Sequence, residues 1–332
     1  MLDKSLEGSA LSPFSVQVDP VRLQAFARAT GQTESQYLDV AAARAHGHPD
    51  LPIPPTFYFC LEMDAPQPME LYERLGVDYA RVLHGEQHFQ YHRMAFAGER
   101  LRFVPRITEL YDRKGGGLEF IVRDTRVEAT GGERVADLRS VLVVNNALAE
   151  GRSAQASRAA HPGLPQATAS STSGLDLRLA TEQDDLADMS GTRLPALVMS
   201  PITRETLVRY AAASGDDNPL HIDPAYARQA GHPDVFAHGM LSAAYLARVL
   251  TDWVDQVTIR RLQLRFVAIT RLGDAVHGQA QVLEAPTQAA GPQAEGPGND
   301  SSSSHRTLSL LAHNQAHLVK VVGTAVVGPP YS

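Results

Sequence analysis

The chain has 332 residues, 43% of them hydrophobic and 20% charged, which is enough for two domains that each bury a core. A net charge of −7 with no long basic run excludes nucleic acid as the main partner, and no run of 18 apolar residues is present to cross a membrane. The single cysteine, Cys60, excludes an intrachain disulfide framework, and the start MLDKSLEGSALSPF lacks an apolar leader, so a reducing cytoplasm is the expected compartment.

Taken in order, the chain opens with a helix start at Asp19-Pro20 and a loop after Gly31. FYFCLEM reads as the start of a buried helix. His88, Gln90 and His92 then share one face of a strand, with Phe89 and Tyr91 on the other. Gly98-Glu99 turns into LRFVPRITEL, the KGGG turn at 114–117 precedes LEFIVRDTRV, and ATGGER leads into ADLRSVLVV. These elements define a first domain over 1–149. Residues 150–180, rich in Ala, Ser, Gly and Pro and without periodicity, read as a linker to a second domain over 181–332. In that domain Thr203 caps the helix ETLVRYAAAS, Gly215 and Pro219 break it, and Asp223-Pro224 starts another that stops at Gly231. An apolar helix MLSAAYLARVL follows, then the strands VTIRRLQLRFVAIT and AVHGQAQVLEA, a low-complexity hairpin tip at 286–304, and the closing strands HRTLSLLAHNQ and HLVKVVGTAVV.

The chemistry concentrates between Tyr210 and Leu241. Asp216 and His221 lie five positions apart on a loop pinned between helices, where an acid and an imidazole can converge. Gly239 stands at a helix start with a free backbone N–H, a donor for developing oxyanion charge. Asn218 is expected to brace the loop through backbone bonds. The run Ser214-Gly215-Asp216-Asp217-Asn218-Pro219-Leu220-His221-Ile222-Asp223, followed by His238-Gly239-Met240, resembles the MaoC-like (R)-specific enoyl-CoA hydratases. The resemblance runs from Thr203 to Leu250 and more loosely to Val327. It implies an α+β double hot-dog fold: two antiparallel sheets, each wrapped around a central helix, packed as a pseudo-dimer. It further implies reversible hydration of trans-2-enoyl thioesters to (R)-3-hydroxyacyl thioesters by Asp216, His221 and the Gly239 N–H. The thioester carrier, CoA or phosphopantetheine, would come with the substrate and no other cofactor would be needed. A homodimer of double hot dogs is a further expectation.

The first half repeats this stretch with the chemistry erased. Gly31 matches Gly215 at an offset of 184 (215 − 31), and the same offset carries Asp39 onto Asp223 and Gly47-His48-Pro49-Asp50 onto Gly231-His232-Pro233-Asp234. It places Gln32, Glu34, Tyr37 and Pro55 where the second copy has Asp216, Asn218, His221 and Gly239. Gln32 is no carboxylate, Tyr37 has too high a pKa to exchange readily at neutral pH, and Pro55 has no N–H. The first half is therefore a degenerate domain that shapes a pocket.

Rival readings stand beside these. Asp216 and His221 could be a capping Asp and a structural loop His, as residue types alone allow. His84, His88 and His92 recur at steps of four, but Gly85 and the alternation favour a strand, so no metal site is expected there. Arg260, Arg261 and Arg265 lie on a strand, either to meet the phosphates of the carrier or simply to face solvent. Cys60, equivalent to Ala244, reads as a buried small residue. Two other functions fit the fold: a thioesterase, which would attack the carbonyl carbon, and a non-catalytic acyl-thioester binding protein.

Overall fold

The computed structural model describes residues 2–113, 117–146, 191–283 and 305–331. Most of the KGGG turn, the expected linker at 150–180 and the expected tip at 286–304 lie outside the described residues.

In the first half β1 (Phe14–Gln17) leads into α1 (Pro20–Ala29), whose cap Asp19 accepts the Val21 N–H. Asp39 likewise caps α2 (Val40–Ala45) by accepting the Ala42 N–H. Then come α3 (Phe57–Glu62), α4 (Glu70–Leu75), β2 (Val82–Tyr91), β3 (Arg100–Arg113), β4 (Leu118–Ala129) and β5 (Arg134–Asn145). The second half runs through the same plan: β6 (Leu197–Val198), α5 (Arg204–Ser214), α6 (Pro219–Ile222), α7 (Pro224–Gln229), α8 (Gly239–Thr251), then β7 (Ile259–Phe266), β8 (His277–Val282), β9 (Arg306–His313) and β10 (Val319–Val327). Thr203 caps α5 through reciprocal bonds with Thr206, and Asp223 caps α7 through the Ala225 and Tyr226 N–H groups. The repeat extends to the backbone: Gly31 and Gly215 leave their helices at φ 67° and 77°. Those are left-handed values that a side chain disfavours.

The strands form one ten-stranded antiparallel sheet in the order β1-β3-β4-β5-β2-β7-β10-β9-β8-β6, five strands from each half. The halves meet edge to edge where β2 pairs with β7, Phe89 lying opposite Leu262. The two sheets of the double hot dog are thus fused into one, which leaves neither central edge unpaired. Alternation along β7 turns Leu262, Leu264 and Phe266 inward and Arg261, Gln263 and Arg265 outward.

The core helices of the two halves differ. In the second half α8 is mostly apolar, and its residues Met240–Thr251 are all buried, Arg248 among them. Its first-half counterpart α3 is wholly buried too, as FYFCLEM suggests, but stops after six residues. Pro66 is the cause: it has no N–H to donate, and its ring would clash with the Glu62 carbonyl four residues earlier. The central helix expected of each copy is therefore complete in the second and cut short in the first. No helix among the described residues is long and apolar enough to cross a membrane.

Candidate active site

The loop after α5 is built from short-range bonds. Gly215 turns the chain, the Asp216 N–H donates to the Ser214 hydroxyl at 3.2 Å, and the Asn218 N–H reaches an Asp216 carboxylate oxygen in a long bond of 3.4 Å. Asn218 caps α6 by accepting the Leu220 N–H at 3.1 Å. That is the bracing geometry its position suggests. Pro219 opens the single turn of α6 and so presents His221 on its inner side.

His221 is 9% exposed and its Nδ1–H donates to the Phe236 carbonyl at 2.8 Å. A carbonyl can only accept, so the proton resides on Nδ1 and Nε2 is left as the bare nitrogen. Burial holds its pKa below the ordinary imidazole range, opposed by the charge of Asp216. His238, the residue before α8, lies 3.9 Å away ring to ring and donates from Nε2 to the Asp216 carbonyl at 3.0 Å. Burial, with His221 adding to it, drives His238 well below the ordinary range. A carboxylate oxygen of Asp216 and one ring nitrogen of each histidine lie within 4.8 Å of one another.

Gly239 is the first residue of α8, where the N–H has no partner within the helix. A Cβ there would sit 3.1 Å from the Phe266 ring, so any larger residue would have to push that ring aside. Asp216, Asn218, His221 and Gly239 all line one cavity of about 120 Å³. The first half completes its wall with Phe59, Met63, Tyr72, Tyr79, His84 and Arg123.

Some site features are invisible to motif reading. Arg22, on α1 of the first half, donates to the carbonyls of Ala213 and Ser214 at 3.0 and 2.6 Å and to that of Cys60 at 3.0 Å. It therefore closes the end of α5 and holds the loop that carries Asp216 from across the interface. Tyr79 lines the cavity with Asn218 from the same side. His238 appeared in the sequence only as part of His-Gly-Met, and its bond to Asp216 gives it a place in the site.

The arginines anticipated for phosphates lie elsewhere. None of the three lines the cavity. Arg260 stacks on Tyr331 at 3.6 Å and donates to the Val257 carbonyl, Arg261 reaches Gln90 at 3.3 Å, and Arg265 sits opposite Glu86. Arg261 and Arg265 thus serve the seam between the half-sheets, on the face turned away from α8. Cys60 is fully buried and its thiol is pushed up, chiefly by burial, as befits an inert core residue.

Known proteins share this organisation. Residues 5–138 match the family model for a FAS1-like dehydratase domain region, and residues 189–295 match the model for a MaoC-like domain. A Streptomyces coelicolor protein of the UPF0336 group is 36% identical over 147 residues, which is 44% of this chain and 97% of that one. Among solved structures, a MaoC-like dehydratase superposes with a TM-score of 0.74 at 23% identity, over 97% of this chain and 98% of its own. A Mycobacterium tuberculosis protein described as having a double hotdog fold superposes with a TM-score of 0.59 at 13% identity, over 97% and 96%. At those identities the two structures speak to the fold alone.

Proposed function

The chain carries a FAS1-like dehydratase region over residues 5–138 and a MaoC-like domain over residues 189–295, and from that premise we propose that it hydrates trans-2-enoyl thioesters to (R)-3-hydroxyacyl thioesters and catalyses the reverse dehydration. The observation that carries this reading is the meeting of Asp216, the bare Nε2 of His221 and the Gly239 N–H on one cavity. Asp216 and His221 hold a water between them. Water's oxygen adds to C3 as one of the two takes its proton, and the pair passes that proton on to C2, which returns both groups to their starting state. The thioester oxygen accepts from the Gly239 N–H at the positive end of α8 as enolate charge develops. Water addition to an enoyl thioester needs no electron transfer, so no redox cofactor enters. The carrier, CoA or an acyl carrier's phosphopantetheine, arrives with the substrate.

The test is a hydration assay across a panel of enoyl-CoAs, followed by loss of the enoyl absorbance. Asp216→Asn and His221→Ala are each expected to lower turnover by about two to four orders of magnitude. Both should remain folded, because the two side chains stand on a loop. Near-native turnover in either folded variant refutes the assignment. Release of free thiol from a saturated acyl-CoA would point to a thioesterase instead, and tight analogue binding without turnover to a binding protein.

A further inference from the structure

On β4 a charge stands where the strand pattern calls for an apolar side chain. Ile121, Thr125 and Val127 face inward and are sealed from solvent, and Arg123 shares their face by alternation. Across from it, α3 carries Glu62 at the position that the intact copy fills with the fully buried Leu246 (246 − 184 = 62). Both changes fall where Pro66 cuts α3 short. Arg123 and Met63 line the catalytic cavity and also a second cavity beside Pro66 and Pro68, so the arginine stands in the partition between the two.

The pair is unequally satisfied. Arg123 Nη2 meets Glu62 Oε2 at 2.6 Å, with the side chains 12% and 2% exposed. The other Glu62 oxygen accepts from the Thr125 hydroxyl. Glu62 thus has a donor on each oxygen, whereas Arg123, which lines the cavity, makes a single hydrogen bond among the described residues, from Nη2. A guanidinium set in a cavity wall with most of its N–H groups unbonded calls for an oxygen from whatever enters. Charge decides which kind. Glu62 already balances Arg123, and Asp216 faces the same cavity, so a carboxylate would enter uncompensated. His84 on the same wall adds no positive charge, its pKa being pushed down to about 4 by burial and then by Arg123.

We propose that Arg123, braced by Glu62, binds an uncharged oxygen on the acyl group, a hydroxyl, keto or ether, and so selects oxygenated enoyl thioesters over plain alkyl ones. This rests on the reading above that an acyl thioester occupies the cavity.

The experiment has two arms. One measures kcat/KM for water addition on chain-length-matched enoyl-CoAs that are alkyl, hydroxylated at successive carbons beyond C4, or terminated by a carboxylate. The other measures, by calorimetry, binding of the saturated, unreactive counterparts. One hydroxylated isomer is expected to exceed the alkyl chain by roughly ten- to a hundredfold in both arms, the worth of a hydrogen bond from a charged donor. The ratio should collapse towards one in the double variant Glu62→Met/Arg123→Met, which removes both charges together. Should that variant fail to fold, Arg123→Lys keeps the charge but loses the planar fork of guanidinium donors, and the ratio should drop there too. Equal or better use of alkyl chains, preference for the carboxylate, or a ratio that survives substitution each overturns the proposal. Selective binding without turnover would leave the oxygen site standing and remove the hydratase reading, while unselective turnover would do the reverse. No binding and no turnover with any compound would remove both.

Discussion

His221 and His238 are buried imidazoles and His84 a half-buried one, all held below their ordinary 6.5, in each case first by desolvation. Neutral His221 can take a proton from water, and neutral His238 can keep its bond to the Asp216 carbonyl without placing a second cation 3.9 Å away. The same shifts bear on stability. In the unfolded chain these rings protonate as the pH falls through about 6.5, while the folded rings resist until a lower pH, so over that interval the unfolded state binds more protons. Stability is complete above 6.5 and is lost as the pH falls towards the folded values. Each ring that lags contributes up to about 1.4 kcal/mol per pH unit. We expect the melting temperature to drop between pH 7.5 and pH 5, and His84→Gln to make that drop shallower. A melting temperature that stays level across the interval would contradict the burial argument. Asp216, His221 and Gly239 were legible in the sequence because two short runs, 214–223 and 238–240, carry them. Tyr79 and Arg123, on the cavity wall, and Arg22, which bonds the end of α5, were not, because each comes from the first half, far away in the chain. Arg261 and Arg265 drew attention as cations on a strand, but which face of β7 they occupy is decided by Leu262, Leu264 and Phe266 packing inward.

The helix starts were readable because each rests on a local cap: Asp19, Asp39, Thr203 and Asp223 all bond N–H groups within three residues. The end of α5 is different, because its last carbonyls are satisfied by Arg22 from the other half. This makes the loop after α5 an element held from two sides, by the turn at Gly215 and by the guanidinium. The two are in contact: a Cβ on Gly215 would lie 2.6 Å from Arg22 Nη2. Gly215→Ala therefore meets both a left-handed φ of 77° and a displaced arginine, and should cost more than about 1 kcal/mol. Arg22→Met, which leaves the carbonyls and the Asp64 carboxylate unpaired, should reduce kcat/KM on the best enoyl-CoA by about tenfold or more and lower the melting temperature. Melting curves and initial rates on the two variants check this. If both behave as wild type, the interface does not position the loop. The length of α3 was less readable, since FYFCLEM signals only that a buried helix begins. Pro66 sets where it ends, and the consequence, a cavity wall containing Arg123 and Met63, belongs to the tertiary structure.

At the scale of the molecule, fusing two copies through β2 and β7 gives each a partner without the need for a second chain. The two equivalent places have different fates. In the second copy the loop opens on a cavity of about 120 Å³, whereas the corresponding space around Gln32, Tyr37 and Pro55 is about 20 Å³, room for little more than one water. Tyr37 is buried there with its hydroxyl donating to Gln256 at 2.7 Å, and Gln256 in turn donates to the Ile53 carbonyl at 2.7 Å. Gln32 folds its side-chain oxygen onto the N–H groups of Thr33 and Glu34 and donates to Thr251. The erased positions have thus become parts of the interface, so the first copy lacks the space for a substrate as well as the groups to act on it. One consequence is stoichiometric: a tight, unreactive acyl-thioester analogue should bind once per chain by calorimetry. The other concerns restoration. Gln32→Asp with Tyr37→His should not produce a second active site, because Pro55 still offers no N–H to the oxyanion, a donor worth on the order of a hundredfold or more. It should lower stability instead, because the Tyr37–Gln256 contact is lost from a sealed interface. Two equivalent sites per chain in the wild type, or added turnover in the restored variant with Asp216 changed to Asn, would mean that the first half retains a working cavity.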